Sequence, residues 1–176
     1  MRLKNSALVL SLVSLGLTLT SQTVEARTFK NAYIAFEIKD DWKCVQESSE
    51  YVCRSEDPVK GKEAIIILTA KERGPDDKFE LYYNHMKNPM KLLQRNGTTT
   101  LSKVEIPPTE RVISNQRWLD TLHSNSEIQN YYTRYIATVK DQIAILVTFS
   151  VYNPKYSEYA TQFMQTISSL KVVATK

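Results

Sequence analysis

The chain has 176 residues, 42% of them hydrophobic, with 23 Lys and Arg against 19 Asp and Glu, two cysteines and two histidines. No linker, repeat or low-complexity tract divides it, so one domain is expected. A net charge of +4 without clusters of Arg and Lys interleaved with aromatics is an ordinary solvated surface, which argues against nucleic acid as a partner; the four glycines are scattered and leave no phosphate-cradling loop.

Arg2 and Lys4 precede Ala7 to Thr20, an apolar run diluted by Ser, Thr and Gly, and the stretch closes on Val24-Glu25-Ala26. A positive start, a short apolar segment and a Val-x-Ala site predict a signal peptide over residues 1–26, cleaved to leave a mature chain from Arg27. No cysteine follows the site, so no lipid anchor is expected, and the product is periplasmic or secreted. Residues 27–176 then form one domain of 150 residues, long enough to bury about two thirds of its unfolded surface.

In the mature chain, FEIKDDW reads as a first strand running into a turn at Asp40-Asp41. WKCVQESSEYVCRS reads as a hairpin with Ser48-Ser49 at its tip. Counting outward sets Glu47 against Glu50 and Cys44 against Cys53 at a non-hydrogen-bonded position, where side chains approach most closely. In an oxidising compartment those two cysteines form a disulfide. Lys62 to Ala70 is a continuous apolar run, predicting a central strand covered on both faces.

Gly74-Pro75-Asp76-Asp77 opens a predicted helix through Arg95, with Phe79, Tyr82, Tyr83, Met86, Met90 and Leu93 as its apolar stripe. Pro89 should kink or restart it, and Asn96-Gly97 should stop it. A strand near Thr99 to Ile106, a Pro107-Pro108 loop and a hairpin from Arg111 to His123 follow.

The last unit is YYTRYIATV, a turn near Lys140-Asp141, IAILVTFSVY, and NPKYSEYATQFMQTISSL. Ile143, Ile145, Val147, Phe149 and Val151 share one face of a strand. Asn153 can cap and Pro154 can start a helix whose Tyr156, Tyr159, Ala160, Phe163, Ile167 and Leu170 cover that face. The fold class is α+β: an α/β/α sandwich with a central, mostly antiparallel sheet of about seven or eight strands and two main helices.

FEIKDDW, EAIIILTA leading into a helix, the strand start at Asn115 to Trp118, and above all DQIAILVTFSVYNPKYSEYATQFMQTISSL resemble the PsbP/Mog-type family. The resemblance spans nearly all of the mature chain, though its motifs are structural. It implies an α/β/α sandwich that binds rather than catalyses, as in photosystem subunits, a Ran-binding nuclear protein, bacterial envelope proteins and secretion-effector chaperones. No functional residue carries over from it.

Nucleophilic catalysis would need Ser or Cys beside His and a carboxylate. His85 lies between Tyr82 and Met86 on the predicted helix, and His123 ends a strand beside Ser124-Asn125-Ser126; both read as packing or flanking surface. Neither forms a metal-ligand spacing with Asp76 or Asp77. Those acids, like Asp40-Asp41, follow from turn chemistry and the helix dipole. Asn96-Gly97-Thr98 fits a glycosylation sequon but reads first as a helix stop.

The expectation is an exported, non-enzymatic interaction or chaperone-like module without cofactor or metal, its partner another envelope or secreted protein. The alternative is a small envelope hydrolase or transferase with a dispersed site. Lys87, Lys91 and Arg95 recur every four residues on the predicted helix and are the candidate partner-binding stripe, for an acidic protein or an anionic membrane surface.

Overall fold

The structure, a computed structural model, describes residues 26–94 and 96–173. The expected leader lies outside them except for Ala26. In chain order the elements are β1 (Ala26–Lys30), β2 (Ile34–Lys39), β3 (Trp42–Glu47), β4 (Glu50–Ser55), the single turn α1 (Lys60–Glu63), β5 (Ala64–Glu72), α2 (Phe79–Met86), β6 (Lys91–Leu93), β7 (Thr99–Leu101), β8 (Lys103–Ile113), β9 (Gln116–Ser124), β10 (Tyr131–Lys140), β11 (Ile143–Tyr152), α3 (Tyr156–Ser168) and β12 (Lys171–Val172). Seven strands make one antiparallel sheet in the order β3-β4-β5-β11-β10-β9-β8. α3 and the small sheet β1-β2-β12 cover one face, and α2 covers part of the other. This is the predicted α+β sandwich with two main helices.

The closing unit follows from its alternation. Ile143, Ile145, Val147, Phe149 and Val151 are each at most 4% exposed and pack with Tyr159, Phe163, Ile167 and Leu170 of α3. Phe163 sits 5.2 Å from Phe149, ring centre to ring centre, and edge-on to Trp42 at 6.3 Å. Asp141 turns the chain between β10 and β11 at φ 53°, a left-handed conformation that Asp tolerates. Asn153 does not cap: it opens the 3-10 turn Asn153–Lys155, which carries Pro154 and hands over to α3 without a side-chain cap.

The hairpin β3-β4 has the expected register, with Glu47 facing Glu50 and Cys44 facing Cys53, and the two cysteines are joined by a disulfide. Ser48 reaches φ 58° at its tip.

Other parts of the fold depart from the sequence reading. The strand read from FEIKDDW is β2, and it lies in the small sheet between β1 and β12. β5 is central, yet only its Ala64, Ile66 and Leu68 are fully buried; Ile65 and Ile67 on the second face are half-buried, because α2 covers the β9-β10 half instead. Pro107-Pro108 is no loop: both lie inside β8, an edge strand where proline costs no ladder bond, at a shift of register between Ile106 and Thr109.

The predicted helix from Asp76 to Arg95 is the largest correction. Gly74 to Asp77 forms a turn, α2 begins at Phe79, and it ends at Met86. Pro89 lacks the donor a further turn would need and disfavours the helical region at Asn88. The chain leaves as β6, turns at Asn96-Gly97 with Gly97 at φ 81°, and returns as β7 in a two-stranded ribbon.

Candidate functional site

The ribbon is fastened at its base by a buried histidine. His123, on β9, is 0% exposed; its Nε2 lies 2.8 Å from the Met86 carbonyl and its Nδ1 3.1 Å from Ser102 Oγ. A carbonyl only accepts, so Nε2 carries the proton and Nδ1 accepts from the Ser102 hydroxyl. Ser102 Oγ accepts in turn from the Met90 N–H at 2.8 Å. Burial holds the His123 pKa below the usual imidazole range, the hydrogen bond to Met86 opposing that shift. The end of α2, the start of β6 and the end of β7 are thus tied to the central sheet.

Ser102 beside His123 is a hydroxyl beside a base, the pairing a hydrolase would need. Here Ser102 is 4% exposed, and the position behind the imidazole is filled by a backbone carbonyl instead of a carboxylate. The pair works as a clamp rather than a nucleophile open to substrate. His85 is exposed on α2. Among the described residues no three His, Cys, Asp or Glu side chains come together as a possible metal site.

The paired acids are accounted for locally. Asp77 is 7% exposed and accepts from the Gly74 N–H at 2.7 Å, the Tyr82 hydroxyl and Lys71 Nζ at 2.8 Å. Burial alone would raise its pKa, but these three donors outweigh it and hold the carboxyl at about 2. Asp41 accepts from Ser55 Oγ at 3.2 Å, closing the β2-β3 turn onto the end of β4.

A buried charge cluster went unread in the sequence. Asp120, 2% exposed on β9, accepts two 2.7 Å hydrogen bonds from Arg134 and also pairs with Arg111. Its signal was an acid inside the apolar strand RWLDTLH.

The basic residues do not share a helix face. Lys87 follows the last residue of α2, with Nζ 5.9 Å from the centre of the Tyr83 ring, while Lys91 belongs to β6. Arg95 lies outside the described residues. The four-residue period that grouped them has no helix beneath it.

A groove of about 980 Å³ runs between α3 and the edge of β2, lined by Phe36 and Ile38 and walled by Thr161, Gln162, Gln165 and Ser168. β2 pairs with β1 from Ala35 to Lys39 on one edge, but on the other β12 reaches only Ile34 and Ala35. Beyond that, the Glu37 N–H donates to a side chain, Ser169 Oγ, at 2.7 Å. Backbone groups alternate between the edges of a strand, so those of Lys39 point the same way. Across the groove the Gln162 side-chain nitrogen is buried without a hydrogen-bond partner. The groove therefore offers an open strand edge on one wall.

This architecture is that of the PsbP-like sandwich. Among similar solved structures, cyanobacterial PsbP (CyanoP) from Synechocystis sp. PCC 6803 superposes with a TM-score of 0.61, covering 90% of this chain and 99% of that one at 11% identity. LpqN, involved in cell envelope biogenesis of Mycobacterium tuberculosis, superposes with a TM-score of 0.55, covering 85% and 91% at 8% identity. No family model and no curated protein sequence matches the chain.

Proposed function

We propose that this protein is an exported, non-catalytic accessory module of the bacterial envelope that holds an extended segment of another envelope or secreted protein in the groove between α3 and β2. The observation that carries the reading is the open edge of β2. A peptide laid there prolongs the line of β12 and meets the backbone groups of Lys39. Strand addition of this kind draws affinity from main-chain hydrogen bonds, with specificity from the pockets that alternate side chains enter. The polar walls, Thr161, Gln165 and Ser168, favour a segment of small and polar side chains. The leader sequence, the disulfide and a shared fold with an envelope-biogenesis protein are consistent with that compartment.

A photo-crosslinking residue at Gln165, in the groove wall, is compared in living cells with one at Asp141, on the exposed β10-β11 turn. Gln165 should give a discrete adduct whose partner peptide maps to one short segment, and Ser168→Trp should diminish it by filling the groove. Equal adduct yields at the two positions, or a yield indifferent to Ser168→Trp, would refute the reading.

A further inference from the structure

The β6-β7 ribbon presents a different surface. In an antiparallel pair, facing residues point the same way, so Lys91 and Leu101 share one side with Leu93 and Thr99, while Leu92 and Thr100 take the other. Leu92 is half-buried, whereas Leu93 is 72% and Leu101 62% exposed. Two leucines held diagonally on one outward face are unusual where single exposed apolar residues are the norm. A two-stranded ribbon is also marginal in water by itself. This one is fixed at its base by the Met90-Ser102 bonds and His123, so its outer face is presented rather than folded back.

The charge of the same segment selects what that face meets. From Lys87 to Lys103 the sequence holds four basic residues and no acidic one. Lys103 is paired with Glu105 at 2.8 Å, but Lys87 and Lys91 enter no salt bridge among the described residues. Tyr83, 40% exposed beneath Lys87, adds an amphipathic ring of the kind that settles at headgroup level. Exposed leucines flanked by unpaired lysines, with no acid between them, complement an apolar layer beneath negative headgroups.

We propose that the β6-β7 ribbon docks on an anionic lipid surface, Leu93 and Leu101 entering the headgroup region and Lys87 and Lys91 lying against the phosphates. This surface is separate from the groove, and its test does not involve the groove's occupant. The mature protein, from Arg27 onward, is sedimented with vesicles of phosphatidylglycerol and phosphatidylcholine and with phosphatidylcholine alone.

Binding to the anionic vesicles alone, weakening as salt rises, is expected. Leu93→Ser with Leu101→Ser should weaken it by about tenfold or more through the lost apolar contact. Lys87→Glu with Lys91→Glu should abolish it. All four side chains point outward, so each variant should keep the wild-type melting temperature. Absence of vesicle binding, or binding indifferent to both double substitutions, overturns the proposal; loss of a protein partner by the leucine variant with no vesicle binding would reassign the face to that protein.

Discussion

The closing unit β10-β11-α3 and the stretch from Gly74 to Ser102 are both built from apolar residues at regular spacing, yet one folds as its periodicity predicts and the other does not. In β11 the rule of two has no competitor: shifting Ile143 to Val151 by one residue would carry the whole apolar row to the other face. Between Asp76 and Arg95 the apolar residues fit a helical period, but two local facts override it. Pro89 removes the donor needed for another turn, and Asn96-Gly97 between KLL and TTL is a hairpin signal. Periodicity decides structure where burial is deep, and turn chemistry decides it where the chain runs along the surface.

The contrast can be broken first in the core. Phe163→Ala should cost about 3–5 kcal/mol in denaturant unfolding, since it empties a site bounded by Trp42, Phe149 and Tyr159. Asp120→Ala, which leaves the partly buried Arg134 without its carboxylate, should cost somewhat less, about 2–3 kcal/mol. Replacing Cys44 and Cys53 together by Ser should cost about 2–3 kcal/mol, and non-reduced peptide mapping of the wild type should recover the two joined. Finding both alkylated without reduction would contradict the pairing.

A smaller effect should appear with pH. The folded pKa of His123 lies below its unfolded value, so the unfolded chain takes up the proton first. That contribution is intact above about pH 6.5 and is lost as pH falls from there toward the lower folded value. Asp77 acts further down: its folded carboxyl, at about 2, keeps its stabilisation above the ordinary carboxylate value of 3.8 and loses it as pH falls through that window. Unfolding free energies measured against pH should show both limbs. His123→Gln should flatten the upper one and Asp77→Asn the lower. At the far end of the scale, Leu93→Ser with Leu101→Ser should change stability by less than about 0.5 kcal/mol per site.

The sheet, the α3 cover and the disulfide were legible because alternation and hairpin counting fix them within a few residues. The groove was not. It depends on where β12 stops against β2, and Lys171 to Val172 has no periodicity to read. Nor does the sequence place Ser102 beside His123, since that contact joins two strands through the end of α2. Pro107-Pro108 reads as a break in any strand, and becomes an edge-strand feature once β8 is known to lie at the border of the sheet. The ribbon was the missed site that local chemistry could have revealed, through its Asn-Gly tip.

Amide hydrogen exchange on the purified complex with the partner captured at Gln165 tests strand addition most directly. Exchange at Lys39, whose N–H lies on the open edge, should slow on binding while Glu37, already bonded to Ser169, and the β10-β11 turn at Asp141 stay unchanged. Protection elsewhere, with the open edge of β2 exchanging as fast in the complex as in the free protein, would contradict it.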